Sequence, residues 1–198
     1  YLEGVKHGAH FLRNVHRKPT TGGYAWTLRF LEGKAEIEDA TNHCYGLAFV
    51  LLAYSYAHRA GLAESSEHIK ETFDLMDQRF WSQEHGLYAD EATGDWKTLS
   101  PYRGQNANMH GCEALIAAFE ATGEVSYLER ALLVARNIAL RQAQLAGGLI
   151  WEHYHSDWSV DWEYNRNDKT NIFRPWGYQP GHLTEWAKLL LILERHKD

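Results

Sequence analysis

Leu47-Ala48-Phe49-Val50-Leu51-Leu52-Ala53-Tyr54 is the stretch that decides the architecture. Its residues are apolar nearly all round the helical wheel, so the helix that holds it must be covered on most of its sides. That helix is read from Asn42 to Ala60. Upstream lie an amphipathic run, Leu2 to His16, and a glycine-aromatic turn, Gly22-Gly23-Tyr24-Ala25-Trp26. Downstream the same order returns twice. The second unit has Glu67 to Trp81, then Gly86-Leu87-Tyr88, then Asn106 to Ala121. The third has Tyr127 to Leu145, then Gly147-Gly148-Leu149-Ile150-Trp151, then Gly181 to His196. The glycine turns recur at about 60 to 65 residues, a spacing within the range of repeat arrays.

The two helices of each unit differ in character. Phe73, Met76, Asp77 and Phe80 recur at helical spacing beside Lys70, Glu71 and Gln78, so the first helix keeps one wet face. Hairpins with a wet first helix and a dry second helix stack into an all-α, two-layer toroid or solenoid. Gly61 and Gly123 stand where positive φ ends a helix. The glycine-aromatic turns are expected to form short β-hairpins on one rim, with Tyr24, Trp26, Tyr88 and Trp151 on alternating faces. Three hairpins leave two apolar edges open. The expectation is therefore part of a larger toroid, or a domain completed by a second copy as a homodimer.

The composition narrows the partners. The chain has 198 residues, 44% hydrophobic and 23% charged, with a formal net charge of −6. That is enough apolar material for one sizeable core, read as a single domain over residues 1–198. The mildly acidic balance offers no electrostatic footprint for nucleic acid or an anionic membrane. No run approaches a membrane span and residue 1 opens no signal-peptide pattern, so a cytoplasmic protein is expected. Cys44 and Cys112 lie in apolar helical runs and read as buried free thiols. Eight Trp, eleven Tyr and twelve His form a surplus suited to a polar ligand with apolar faces, such as a sugar.

Polar residues gather at the starts of the dry helices. Unit two carries Tyr102-Arg103-Gly104-Gln105-Asn106-Ala107-Asn108-Met109-His110-Gly111-Cys112-Glu113. Unit three carries Arg174-Pro175-Trp176-Gly177-Tyr178-Gln179-Pro180-Gly181-His182-Leu183-Thr184-Glu185-Trp186. Both contain His-x-x-Glu, which sets imidazole and carboxylate on one helix face at i and i+3. His110 and His182 come from adjacent inner helices and converge on one cavity in this reading. Three uses of the pair compete: proton transfer by a neutral imidazole, a metal site, and a satisfied core or capping group. His153 and His155, with Glu152 and Asp157, resemble a metal clip, but a polar rim hairpin is the preferred reading. The long loop from Asp161 to Pro180 opens with Asp161-Trp162-Glu163-Tyr164-Asn165, whose Trp suits stacking on a sugar and whose acidic residues suit hydrogen bonding to it, with surface packing as the equal alternative.

The runs Arg103 to His110 and Pro180 to Trp186, with Gly22 to Trp26 and Tyr45 to Ala53, resemble the N-acylglucosamine 2-epimerase superfamily. The Asn106-Ala107-Asn108-Met109-His110 form looks most like its mannose isomerase branch. The likeness covers essentially the whole chain. It implies an (α/α)6 barrel and cofactor-free, metal-independent interconversion of mannose with fructose or similar sugars. By the same resemblance His182 is the catalytic acid/base, with Glu185 beside it and His110 in the site. Asn106, Asn108, Arg103, Tyr45, Trp176 and Trp186 are then substrate-binding candidates.

The family carries a full ring of hairpins where this chain has three, so an internal fragment with impaired chemistry is expected. The resemblance places an arginine and a second catalytic histidine in the hairpins not seen here. Three other functions remain in play at this point: a 2-epimerase, a toroidal glycoside hydrolase using Asp161 and Glu185, and a non-catalytic carbohydrate-binding module.

Overall fold

The computed structural model describes residues 1–196, and 52% of the chain is helical. Helix α1 (Leu2–Phe11) widens into a π turn at Leu12–His16. An arm of two strands, β1 (Thr27–Leu31) and β2 (Lys34–Asp39), follows, and β3 (Asn42–His43) leads into α2 (Cys44–Arg59). Next come α3 (Ser65–Phe80), β4 (Trp81–Ser82), β5 (Leu87–Tyr88), β6 (Glu91–Ala92) and β7 (Arg103–Gly104). Helix α4 (Gln105–Thr122) is followed by α5 (Val125–Arg136), a second π turn at Asn137–Gln142, and the single turn α6 (Ala143–Leu145). Strand β8 (His153–Tyr154) and helix α7 (Pro180–Arg195) complete the described chain. Each helical run read from the sequence is present.

The dry stretch is the centre of the packing. Leu47, Ala48, Val50, Leu51 and Tyr54 of α2 are buried against α4, whose Ala107, Met109, Cys112, Leu115 and Ile116 are buried in turn. Burying each large side chain of this kind contributes about 1.5–3 kcal/mol. Helix α3 lies on α2 through Ile69, Met76 and Phe80, and α5 lies on α4 through Tyr127, Leu128, Ala131 and Val134. Both stripes recur at three to four residues and leave the opposite face wet. The two thiols, Cys44 and Cys112, are buried and free. Gly61 and Gly123 close their helices at φ +102° and +75°.

Three features depart from expectation. Helix α7 buries only Trp186, Leu189 and Leu193, while Leu190 and Leu191 are exposed, because α4 and α5 meet it on one side. The β1–β2 arm was not anticipated, although Leu28, Phe30, Ala35 and Ile37 alternate with Arg29, Lys34, Glu36 and Glu38 on either side of Glu32-Gly33. Glu32 and Gly33, both at positive φ, make its two-residue turn. Of the glycine-aromatic turns, the second forms its own hairpin, β4 with β5, and the first is closed by a single antiparallel bridge, Arg17 with Tyr24. Elsewhere the rim strands stitch successive units, β3 to β6 and β7 to β8.

Candidate active site

That stitching places the polar residues. The pairing of β7 with β8 continues in a bond from the Gln105 amide to the Glu152 carbonyl, 3.1 Å, at the first residue of α4. The corresponding bond one unit earlier runs from the Cys44 amide to the Asp90 carbonyl, 2.8 Å. Asp90 and Glu152 therefore occupy equivalent rim positions, and both are buried. Counting from the helix starts, Phe49, His110 and Glu185 are each the sixth residue of α2, α4 and α7. His182 is the third residue of α7, so the two His-x-x-Glu motifs are offset by about a turn.

The sixth positions form one cluster. His110 lies 4.8 Å from Phe49 and 5.2 Å, edge-on, from Tyr45 between ring centroids. His110 Nδ1 is 3.2 Å from Glu113 Oε2, and the Glu113 carboxyl is lowered to about 2, chiefly by that bond and then by Lys188. His110, Glu113 and Glu185 bring ligand atoms within 4.8 Å of one another, close enough to share a cation. Lys188 Nζ lies 3.0 Å from Glu113 Oε1 and 3.6 Å from Glu185 Oε1, so a side-chain cation already balances these carboxylates. A groove of about 320 Å³ runs alongside, bordered by Trp26, His43, Tyr45 and Phe49.

His182 does not pair with Glu185. Its Nδ1 is 2.9 Å from Oε2 of Glu152, and Gln105 Nε2 donates to that same oxygen at 3.0 Å. The Glu152 bond raises the His182 pKa against the opposing effect of burial, with Glu185 adding a smaller upward pull. Glu152 is 4% exposed, and its other oxygen, Oε1, has no partner among the described residues. A buried acceptor left in this state costs about 1–3 kcal/mol, which packing alone does not explain.

The remaining candidates divide. Asn106 is half-buried and its Oδ1 is an unpartnered acceptor. Asn108 is fully buried, and its amide serves the Tyr88 N–H, the Tyr88 carbonyl and the Gly104 carbonyl, at 2.8–3.1 Å. Trp186 is 1% exposed and donates its indole N–H to Gln105 Oε1 at 2.6 Å. Asn108 and Trp186 thus stand behind the site, with no face open to a sugar. Arg103 donates to the Ser100 and Tyr102 carbonyls, holding the strand that enters α4. Trp176 is 45% exposed and donates to the Trp162 carbonyl at 2.6 Å.

The supposed metal clip is a rim element. His153 Nε2 donates to the Pro175 carbonyl at 2.9 Å, which leaves Nδ1 to accept from the Tyr102 hydroxyl at 2.9 Å. His155 is exposed and lies 3.5 Å from Asp161 Oδ2. The long loop is fastened by Arg174, which ion-pairs with Glu91 and lies 4.0 Å over the Tyr102 ring. Sequence reasoning missed the tie between Glu152 and His182. The signal was present: an acidic residue stands four places after the glycine in both Gly86-Leu87-Tyr88-Ala89-Asp90 and Gly148-Leu149-Ile150-Trp151-Glu152.

Residues 1–198 match the N-acylglucosamine 2-epimerase (GlcNAc 2-epimerase) family over their whole length. The chain belongs to that family. It is 55% identical over 196 residues to a D-mannose isomerase of Marinomonas mediterranea, covering 98% of this chain and 48% of that protein. A crystal structure of D-mannose isomerase superposes with a TM-score of 0.94 at 54% identity, covering all of this chain and 49% of that one. The cellobiose 2-epimerase of Spirochaeta thermophila shares the fold at a TM-score of 0.72 and 21% identity, covering 98% of this chain and 53% of that one. The chain spans about half the length of the curated relatives it matches.

Proposed function

We propose that the chain is one partial (α/α)6 barrel domain that carries the proton-transfer site of an aldose–ketose isomerase acting on mannose and fructose. The observation that carries this reading is His182 at the start of α7, tied through Nδ1 to buried Glu152 and sharing a helix face with Glu185. The names of the 55%-identical relative and of the superposed structure supply the substrate class. The apolar groove along α1 and α2, lined by Val5, Ala9, Leu12, Ala53 and Ala57, and the exposed Leu190 and Leu191 of α7, are read as faces for further hairpins of the barrel. The greater length of the relatives favours further hairpins over a second copy.

The chemistry follows from the donors. With Nδ1 engaged by Glu152, the imidazole presents Nε2 to the open-chain sugar. Nε2 takes the C2 proton of mannose, the C2–H electron pair forms the C1–C2 double bond of an enediol, and the C1 oxygen gains a proton. Return of the proton from Nε2 to C1, with loss of the proton on the C2 oxygen, gives fructose. Glu185 and His110 hold the substrate hydroxyls, and Tyr45 and Trp176 offer apolar faces to the sugar.

Incubating the protein with mannose in heavy water tests this by NMR. Deuterium is expected at C1 of fructose and C2 of mannose at the low rate in keeping with a partial barrel, and His182→Ala is expected to abolish that incorporation. Release of a second sugar from a disaccharide, or exchange that survives His182→Ala, would overturn the reading.

A further inference from the structure

The proton-transfer reading requires His182 to keep the Nε2 lone pair free, and a chain of three side chains behind the ring accounts for how it does so. The indole N–H of Trp186 can only donate. It meets Oε1 of Gln105 at 2.6 Å, so the carboxamide oxygen faces the indole and its NH₂ faces the other way. That NH₂ meets Oε2 of Glu152 at 3.0 Å. The same oxygen is 2.9 Å from His182 Nδ1, and a carboxylate only accepts, so Nδ1 must hold the hydrogen. Gln105 Nε2 and His182 Nδ1 are 3.0 Å apart because both donors converge on one acceptor. All three supporting groups are closed from solvent: Trp186 is 1% exposed, Gln105 0% and Glu152 4%.

We propose that Glu152 is a positioning residue, oriented by Gln105 and Trp186, which fixes His182 as the Nδ1–H tautomer and leaves the Nε2 lone pair for the substrate. The proposal deepens the proton-transfer reading and rests on it for its purpose, but the tautomer is a property of the free protein. Two carboxylates act on the ring, Glu152 from the rim before β8 and Glu185 from α7 itself. Only Glu152 touches it. The orientation does not depend on any ambiguous amide assignment, because the indole admits one polarity along the whole chain. Trp186 thereby acquires a use that its burial denies it as a sugar platform.

The test is ¹⁵N NMR of histidine-labelled protein without sugar, with His182 assigned by its loss in His182→Gln. In the wild type, neutral His182 is expected as the Nδ1–H form, with a titration midpoint above that of an ordinary histidine. Glu152→Gln is expected to lower that midpoint by about one unit or more, since one carboxylate neighbour is removed. Trp186→Phe is expected to leave the fold intact and to keep the Nδ1–H form, because the Glu152 carboxylate still only accepts, whichever way the Gln105 amide turns; a change of tautomer in that variant would overturn the proposal. Neutral wild-type His182 found as Nε2–H would overturn the proposal, as would an unchanged midpoint in folded Glu152→Gln. Should a variant fail to fold, the wild-type tautomer alone decides. The Nδ1–H form in a protein that exchanges no deuterium into mannose would sink the isomerase reading and leave the positioning role standing.

Discussion

Asp90 and Glu152 sit at the same point of successive units, and their surroundings have opposite consequences. Each follows a glycine-aromatic turn, each offers its backbone carbonyl to the first amide of an inner helix, and each is buried. Asp90 meets the Gly104 N–H at 2.7 Å and no histidine, and burial pushes its carboxyl up to about 8. Glu152 meets Gln105 and His182, and there the upward shift falls on the imidazole. One carboxyl secures a strand crossing. The other faces the His182 imidazole. The difference is set by the partner that the next helix delivers, since α7 places a histidine in its first turn. In the proposed mechanism, the rim position takes part only where a titratable partner reaches it.

The largest effect that separates the two positions is on turnover. Glu152→Gln is expected to lower kcat by about 10- to 100-fold with KM nearly unchanged, because the base loses its orientation while the sugar contacts remain. Asp90→Asn is expected to leave both constants at their wild-type values. Steady-state assays of mannose–fructose interconversion check the pair, and equal losses in the two variants would erase the distinction.

A smaller effect appears in stability. The folded Asp90 pKa of about 8 lies above the unfolded value near 3.8, so between these the native state holds a proton that the unfolded chain has released. Stability therefore falls as pH rises through that window, by at most about 1.4 kcal/mol per pH unit. Asp90→Asn lacks this slope. Its melting temperature is expected to gain on the wild type from pH 5 to pH 8, with no gain below about pH 4. Parallel melting curves across that range would show that Asp90 titrates normally.

The helices were legible because their signal is long and periodic. Leu47 to Tyr54 and the Phe73, Met76, Phe80 stripe repeat over several turns, and α2 and α3 appear where those patterns place them. The rim strands β3 to β8 are two residues each, too short for alternation to register, so their pairing across units was not legible. The partner of His182 was misread for a related reason. Side chains in a helix tilt toward its N-terminus. His182, in the first turn, therefore reaches back past the helix start to Glu152, whereas His110, a turn deeper, does meet Glu113 at i+3. Burial also lay beyond the sequence: Asn108 and Trp186 carry polar atoms next to the motif histidines, and both are spent on the framework.

The central claim is that Glu152, and not Asp90, acts on the base that moves the proton. Its most direct test is the pH dependence of deuterium incorporation into mannose, measured side by side for the wild type, Glu152→Gln and Asp90→Asn. A base works only when deprotonated, and His182 is held above the ordinary histidine range, so the wild-type rate should climb through a midpoint above that range. The expected result is a lower midpoint in Glu152→Gln and an unmoved one in Asp90→Asn. A midpoint that stays in place in Glu152→Gln, or shifts equally in both variants, would contradict the claim.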